Sequence, residues 1–256
     1  MMRASKARLR CLIMIGRTKL LTIDSRVVSP EGVVYSTDPR RAEGEDGVSY
    51  FIKGPDAEIV FAEIAGCMMA REVGVLVPDV AACEFAGETF AGSAKVDNAV
   101  RDIGPWLNRP QRVTNFDDLF STAVVDIWLA NKDRNIGNVL GKQQKGLGKI
   151  GFIFIDFEKS KTLRPQPLVS STIMGPHELW PSGDLGRELS RRKLLHPPTS
   201  MIERIGSLTT ERCAEIIHEV TGVLGDSVPW EDDSINALSH RARRIQQLAE
   251  ELWGMN

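Results

Sequence analysis

Cysteine is scarce in this chain. Its 256 residues include four cysteines, at Cys11, Cys67, Cys83 and Cys213. They are scattered along the sequence and form no CxxC pair, so the sequence offers neither a disulfide framework nor the spacing of a zinc site. We therefore expect four reduced thiols and a cytoplasmic protein.

Long apolar runs and a strong excess of one charge are also lacking. The run CLIMIG at 11–16 is too short to cross a membrane, so no membrane span is expected. The formal net charge is −2, which gives no reason to expect direct nucleic-acid binding. Residues 1–19 are the exception, because they contain several arginines and lysines and no acid. This basic N-terminal segment is either a targeting arm or a frayed terminus.

The first third of the chain contains short segments rich in β-branched and aromatic residues, bounded by Gly, Pro, Asp and Ser. Such segments predict strands. The predicted strands span 20–24, 32–36, 48–54, 79–85 and 89–96, with a polar loop between the second and the third. Residues 57–73 predict a helix that is apolar almost all round and ends at Gly74.

Polar residues and prolines at 97–115 predict a boundary between two lobes. Beyond it, residues 116–130 predict a helix capped by Asn115, and the apolar segments at 139–141 and 150–156 predict a hairpin. Further helices are predicted at 184–195, 199–206, 210–223 and 233–253.

The order of these elements indicates an α+β fold rather than alternating βαβ units. Strands dominate residues 20–100, which we interpret as an N-terminal lobe. Helices dominate residues 101–256, which we interpret as a C-terminal lobe with an inserted hairpin.

Three oxygen-bearing side chains flank the predicted hairpin. Asn138 precedes its first strand, Asp156 comes at the end of its second, and Asp133 lies five residues before Asn138. Because a hairpin brings its two open ends together, Asn138 and Asp156 should lie close to each other. Amide and carboxylate oxygens suit Mg²⁺, which leaves Asp133 free to receive or orient a hydroxyl proton. These are the parts of kinase-type phosphoryl transfer, although a polar turn beside an ordinary strand end has the same residues.

A lysine and a glutamate in the first third complete this set. Lys53 ends a predicted strand, and Glu63 lies on the apolar face of the helix that follows. A buried glutamate needs a positive partner, and Lys53 is the natural one. Glu58 is the competing partner, but it lies near the helix N-terminus, where a free carboxylate is already favourable. Alternatively, Lys53 is a lysine on an edge strand that discourages aggregation through that edge.

Two stretches of the sequence resemble a known family. The stretch DRNIGN, followed by FIDFE, resembles the Asp-Arg-His-x-x-Asn and downstream Ile-Asp pattern shared by HipA-like kinases and phosphatidylinositol kinases. The stretch FAEIAGCMMAREVGVLVP is similar to the HipA-like helix that leads into Gly-Val-x-Val-Pro, with Glu63, Gly74 and Pro78 carrying the match. The resemblance covers about residues 20–160 and implies a two-lobed, kinase-like fold.

The resemblance also implies an activity. It points to an ATP- and Mg²⁺-dependent phosphotransferase acting on a Ser or Thr of a protein, and some relatives are toxins held by an antitoxin partner. Lys53, held by Glu63, would contact the nucleotide phosphates. Asn138 and Asp156 would hold the metal, and Asp133 would serve the acceptor hydroxyl. Residues 20–100 would then be the nucleotide-binding lobe.

Three features depart from the family pattern. Asn135 stands where the family has His, and Glu158 stands where Gly usually follows the metal aspartate and its Phe. No GxGxxG motif is present, so by position the phosphate loop is 24–32, with Ser29 and Gly32 as its candidate contacts. These departures keep open a nucleotide-binding pseudokinase that acts through a regulatory protein partner. The Asp-Arg pattern also allows a lipid or small-molecule kinase.

Two further residues have open roles. Arg134 could touch the transferring phosphate or form a structural salt bridge. Asp126, on the helix before the motif, could support the loop or form a local salt bridge.

Overall fold

The computed structural model describes residues 15–26, 39–131, 133–144, 146–167, 198–225 and 228–254. The predicted strand at 32–36, the helix at 184–195 and the loop residues Ser29 and Gly32 lie outside these ranges. Cys67, Cys83 and Cys213 are buried free thiols, while Cys11 is not among the described residues.

Five strands of the first third form a closed barrel. They are β1 (Gly16–Arg26), β2 (Arg40–Gly44), β3 (Ser49–Lys53), β4 (Val80–Phe85) and β5 (Glu88–Ala94). The barrel order is β1-β2-β3-β5-β4, and it closes where β1 and β4 pair in parallel. Buried side chains, including Ile52, Ala81 and Phe90, fill its interior.

Strand β2 corrects the prediction of a polar loop. It pairs antiparallel with β3, with Ala42 opposite Tyr50 and Arg41 opposite Phe51. Ala42 and Gly44 are buried, whereas Arg41 is exposed and pairs with Glu43. The prediction was wrong because one apolar face made of two small residues gives almost no hydrophobic signal in a charged segment.

Helix α1 (Ala57–Glu72) lies between the barrel and the C-terminal helices. Its burial on nearly all sides agrees with its apolar sequence. Its C-terminal end is held by charge: Arg212 donates to both carboxylate oxygens of Glu72, at 2.8 and 2.7 Å. Arg204 donates to the carbonyl of Val73 at 2.8 Å. The helix is therefore fixed to residues that lie far along the chain.

The rest of the described chain is a small sheet and a set of helices. The sheet contains β6 (Ala99–Val100), β7 (Val139–Gln144) and β8 (Lys149–Phe154), in that order. The helices are α2 (Gly104–Leu107), α3 (Asp118–Leu129), α4 (Thr199–Gly206), α5 (Thr210–Leu224), α6 (Glu231–Arg243) and α7 (Ile245–Gly254). Strands and helices thus segregate along the chain, as the α+β prediction requires.

Two helix predictions need correction. The single helix expected at 233–253 is two helices, α6 and α7, separated at Arg244. Helix α3 begins at Asp118, and Asn115 does not cap it. Instead, the Asn115 amide pairs with the backbone of Phe152 in β8, accepting from its N–H at 2.6 Å and donating to its carbonyl at 2.9 Å. Among the described residues, no helix combines the length and apolar character needed to cross a bilayer.

The start of α1 depends on Asp56. Asp56→Ala should lower the free energy of unfolding by about 1 kcal/mol, because the Asp56 carboxylate caps the backbone N–H groups of Glu58 and Ile59. Denaturant unfolding measures the change. Asp117→Ala is the matched control, since Asp117 precedes α3 but makes no capping hydrogen bond. The control should cost less than about 0.5 kcal/mol, and equal losses in the two variants would contradict the capping role.

Candidate active site

The Lys53 ammonium, at the end of β3, is surrounded by three carboxylates. Its Nζ lies 2.8 Å from Asp156 Oδ1, 3.3 Å from Glu63 Oε2 and 3.3 Å from Glu158 Oε2. Burial alone would lower the pKa of Lys53, but the charges of Glu63, Asp156 and Glu158 outweigh it and raise that pKa. The lysine therefore stays charged and joins β3, α1 and the segment after β8.

Glu63, rather than Glu58, is the partner on α1. Besides Lys53, Glu63 Oε2 accepts hydrogen bonds from the backbone N–H groups of Phe157 at 2.8 Å and Glu158 at 3.0 Å. Glu58 instead pairs with Arg164 at 3.0 Å. Glu63 Oε2 is thus paired with one cation and two backbone N–H groups, and it fastens α1 to the chain just beyond Asp156.

Asp156 adopts a backbone conformation that few residues favour. Its φ is 69°, in the left-handed region, where Asp and Asn are enriched among non-glycine residues. Such conformations persist where the surroundings over-determine them, and they cluster at functional sites. Here the hydrogen bonds from the next two N–H groups to Glu63 hold the turn, and the Asp156 carboxylate meets Lys53.

Gly66 allows this segment to approach α1. A side chain at 66 would collide with Phe157, because a Cβ built on Gly66 overlaps the Cβ of Phe157. Phe157 is fully buried, and its ring lies under the guanidinium of Arg134, at 4.6 Å from ring centroid to Cζ. A glycine inside a helix is costly, so the close approach explains its presence.

Arg134 is buried and structural. Its Nε and Nη2 donate to the two carboxylate oxygens of Asp126 on α3, at 2.9 and 3.0 Å. Its Nη1 donates to the carbonyls of Asn138, at 3.1 Å, and of Ile155. Of the two roles left open by the sequence, the salt bridge is the one the structure shows, and Asp126 supports the loop from its helix. Burial raises the pKa of Asp126, and Arg134 opposes that shift.

Asn138 pairs with Ile155, the residue before Asp156, at the open end of the hairpin. The Ile155 N–H donates to the carbonyl of Asn138 at 3.1 Å. The Asn138 Nδ2 donates to the carbonyl of Asp133 at 2.6 Å, so its amide nitrogen is engaged within the loop. Among the described residues, nothing donates a hydrogen bond to Asn138 Oδ1 or to the Asp133 carboxylate. Burial, together with the charge of Asp156, raises the pKa of Asp133.

These oxygens suit a hard cation. Asn138 Oδ1 and the Asp156 oxygen that does not face Lys53 are an amide and a carboxylate donor without competing hydrogen bonds from the described residues. A second acidic group consists of Glu63, Asp156 and Glu158, whose oxygens lie within 4.8 Å of one another. The Lys53 ammonium already contacts each acid of that group, so Asn138 and Asp156 are the residues that could hold a hard cation.

Two residues of the site, Glu158 and Asn131, were not predicted from the sequence. Glu158 was treated only as a departure from a pattern, but its carboxylate is 1% exposed and lies against Lys53. Burial raises the pKa of Glu158, and the charge of Lys53 opposes this. Asn131 was also not assigned a role, yet its Nδ2 donates to Asp126 at 2.9 Å and to the carbonyl of Asp156 at 3.4 Å.

Comparison with known proteins assigns the fold. No protein-family model matches the chain, and no curated protein matches its sequence. The chain is similar to a Helicobacter pylori proinflammatory kinase, CtkA, with a TM-score of 0.52 and 11% identity, over 90% of this chain and 97% of that chain. It is also similar to a chain of the Shewanella oneidensis MR-1 toxin–antitoxin complex of HipA, HipB and operator DNA, with a TM-score of 0.51 and 12% identity.

The second match covers 81% of this chain and 60% of that chain. The protein therefore has the fold of HipA-like kinases but spans about three fifths of the Shewanella chain. At such low identity the likeness defines the fold, and the activity has to be argued from the site.

Gly66→Ala should lower the free energy of unfolding, although alanine favours a helix over glycine by about 1 kcal/mol. The added methyl group would displace Phe157. Gly222→Ala in α5 is the matched control, because no atom lies within 4 Å of the position of its added Cβ. That variant should gain up to about 1 kcal/mol in denaturant unfolding. A stabilised Gly66→Ala variant would show that Phe157 has room to move.

Arg134→Leu should lower the free energy of unfolding by about 3–5 kcal/mol, because it leaves Asp126 as a buried carboxylate without its cation. Adding Asp126→Leu to the same chain should recover part of that loss, since no unpaired charge then remains. Unfolding of the two single variants and the double variant measures the coupling. If the two losses simply add, the ion pair does not support the loop.

Proposed function

We propose that this chain is an ATP- and Mg²⁺-dependent phosphotransferase that transfers a phosphoryl group to a Ser or Thr hydroxyl of a protein. The observation that carries the proposal is the 2.8 Å contact between Lys53 and Asp156, two residues 103 positions apart in the chain. In a kinase the lysine that binds the nucleotide phosphates and the aspartate that binds the metal act on the same triphosphate, so the two residues have to lie close together. The HipA-like kinase fold agrees with this assignment.

The proposal divides the nucleotide site between two lobes. The N-terminal lobe, 20–100, would provide Lys53 for the α- and β-phosphates, with Glu63 holding the lysine. The C-terminal lobe, 101–256, would provide Asn138 and Asp156 as the ligands of Mg²⁺. The metal would supply charge neutralisation at the phosphates.

Ser29 and Gly32 remain the proposed contacts of the phosphate loop. They are assigned from their position between the first two predicted strands, and they lie outside the described residues.

Asp133 is the proposed residue for the acceptor hydroxyl. The hydroxyl oxygen forms a bond to the γ-phosphorus, the bond to the bridging oxygen breaks, and ADP leaves with that electron pair. The hydroxyl proton passes to the Asp133 carboxylate. The raised pKa of Asp133 makes this carboxylate a better proton acceptor than an exposed aspartate. Aligning the hydroxyl is the larger task, since the transition state of phosphoryl transfer is loose.

The acceptor and the partner are proposed by analogy. One similar structure is described as a kinase, and the other belongs to a toxin–antitoxin complex. On that basis we assign this chain a protein substrate and an antitoxin or other regulatory protein partner.

A second candidate is a nucleotide-binding pseudokinase that acts through a protein partner. One observation favours it: Glu158 adds a third carboxylate beside Lys53, where negatively charged phosphates have to bind. Transfer of label from γ-³²P-ATP to the chain itself or to another protein separates an enzyme from a pseudokinase.

Asp133→Asn should leave nucleotide affinity nearly unchanged and reduce phosphoryl transfer by roughly a hundredfold or more, because the amide cannot accept the hydroxyl proton. Nucleotide affinity is measured by calorimetry and transfer by the labelled-ATP assay. Asp117→Asn is the matched control, since Asp117 is exposed at the start of α3 and should keep full activity. Transfer at the wild-type rate in Asp133→Asn would remove Asp133 from its proposed role.

A further inference from the structure

The Lys53 ammonium has no side free for a phosphate. An ammonium carries three N–H donors, and three acid oxygens lie within 3.3 Å of its Nζ. Glu63 and Asp156 accept hydrogen bonds from it, and Glu158 fills the remaining side. A nucleotide phosphate can therefore reach this ammonium only if one carboxylate moves away.

Glu63 and Asp156 are held in place. Glu63 Oε2 accepts two backbone N–H groups in addition to Lys53, so moving it would leave buried donors unpaired. The carboxylate of Asp156 is directed by a left-handed backbone, and in the proposed function it stays to bind the metal. Neither side chain can give way at low cost.

Of the three carboxylates, that of Glu158 has the fewest hydrogen bonds to fix its position. Its side chain is 1% exposed, yet neither of its oxygens accepts a hydrogen bond from the described residues. Its Oε1 lies 3.5 Å from the ammonium of Lys159, a side chain that is 32% exposed. Turning toward Lys159 would bring the carboxylate nearer to solvent while keeping its charge paired.

The backbone at Glu158 is fixed, which limits the movement to the side chain. Arg164 Nε donates to the Glu158 carbonyl at 3.2 Å, and Arg164 Nη1 donates to Glu58 Oε2 on α1 at 3.0 Å. The Glu158 N–H is held by Glu63. Both ends of this peptide segment are therefore tied to α1, whereas no hydrogen bond from the described residues holds the carboxylate.

We propose that Glu158 is a gate on the phosphate-binding lysine. Its carboxylate competes with nucleotide phosphates for Lys53, and binding requires it to turn toward Lys159. The inference rests on the proposed function, because it assigns Lys53 to the phosphates. It makes Glu158 a positioning residue that sets nucleotide affinity and takes no part in the transfer step.

Glu158→Gln tests the gate, because it removes the charge and keeps the shape of the side chain. The affinity for a non-hydrolysable ATP analogue with Mg²⁺, measured by calorimetry, should rise roughly tenfold. Glu203→Gln is the matched control: Glu203 is an exposed acid on α4, and its variant should bind as the wild type does. Equal or weaker binding by Glu158→Gln would overturn the gate. Glu158→Ala replaces it if the unfolding curve shows that the glutamine variant is not folded.

Lys159→Met tests the direction of the turn. It should weaken binding of the analogue in the wild-type background, because Glu158 then loses the cation that receives it. In the E158Q background the same substitution should have a clearly smaller effect, since no carboxylate has to be received. Equal effects in the two backgrounds would contradict the turn toward Lys159.

Failure of the proposed function has a different signature. If neither the wild type nor Glu158→Gln binds the analogue, the nucleotide site itself is wrong, and the gate fails with it. If the wild type binds and Glu158→Gln gives no gain, the gate fails while the proposed nucleotide site stands. Tighter binding by Glu158→Gln without transfer of labelled phosphate supports the gate and selects the pseudokinase.

Discussion

The buried ammonium of Lys53 is the interaction on which the arrangement of the site depends. It joins a barrel strand, the helix α1 and the segment after β8, which are far apart in sequence. Each acid beside it is mostly buried, and each would be costly without a cation nearby. The lysine therefore has a structural role, because it holds these three segments together. Any catalytic role of Lys53 must be compatible with those contacts.

A second buried ion pair, between Arg134 and Asp126, also supports the site. Arg134 joins Asp126 of α3 to the carbonyls of Asn138 and Ile155, the two chain segments at the open end of the hairpin. Its guanidinium also covers the Phe157 ring. One side chain thus sets the distance between the proposed metal ligands and the helix that carries the loop, and it satisfies backbone carbonyls that burial would otherwise leave unpaired.

The parts of the site that follow from local geometry could be predicted from the sequence. The backbone of Asn138 pairs with that of Ile155, next to Asp156, because a hairpin brings its open ends together, and Glu63 faces Lys53 because burial of a glutamate requires a cation. Strand β2 was missed because only Ala42 and Gly44 carry its apolar face, and pairing with β3 outweighs its polar composition.

Two features of the structure could not be predicted from the sequence. The helix expected at 233–253 is interrupted at Arg244, although its apolar residues keep one periodicity across the break. Glu158 looked like a departure from a motif, and nothing in the sequence places its carboxylate against Lys53. The resemblance to HipA-like kinases predicted the fold, whereas the place of Glu158 beside the lysine needed three-dimensional geometry.

Closure of the barrel by the parallel pairing of β1 with β4 has a consequence for recognition. A strand with an unpaired edge can recruit an extended peptide by main-chain hydrogen bonding, but every described barrel strand has a neighbour on both sides over at least part of its length. A protein that docks where β1 and β4 pair has to be recognised through side chains. Where the pairing is complete, β-strand addition is not available and specificity depends on surface chemistry.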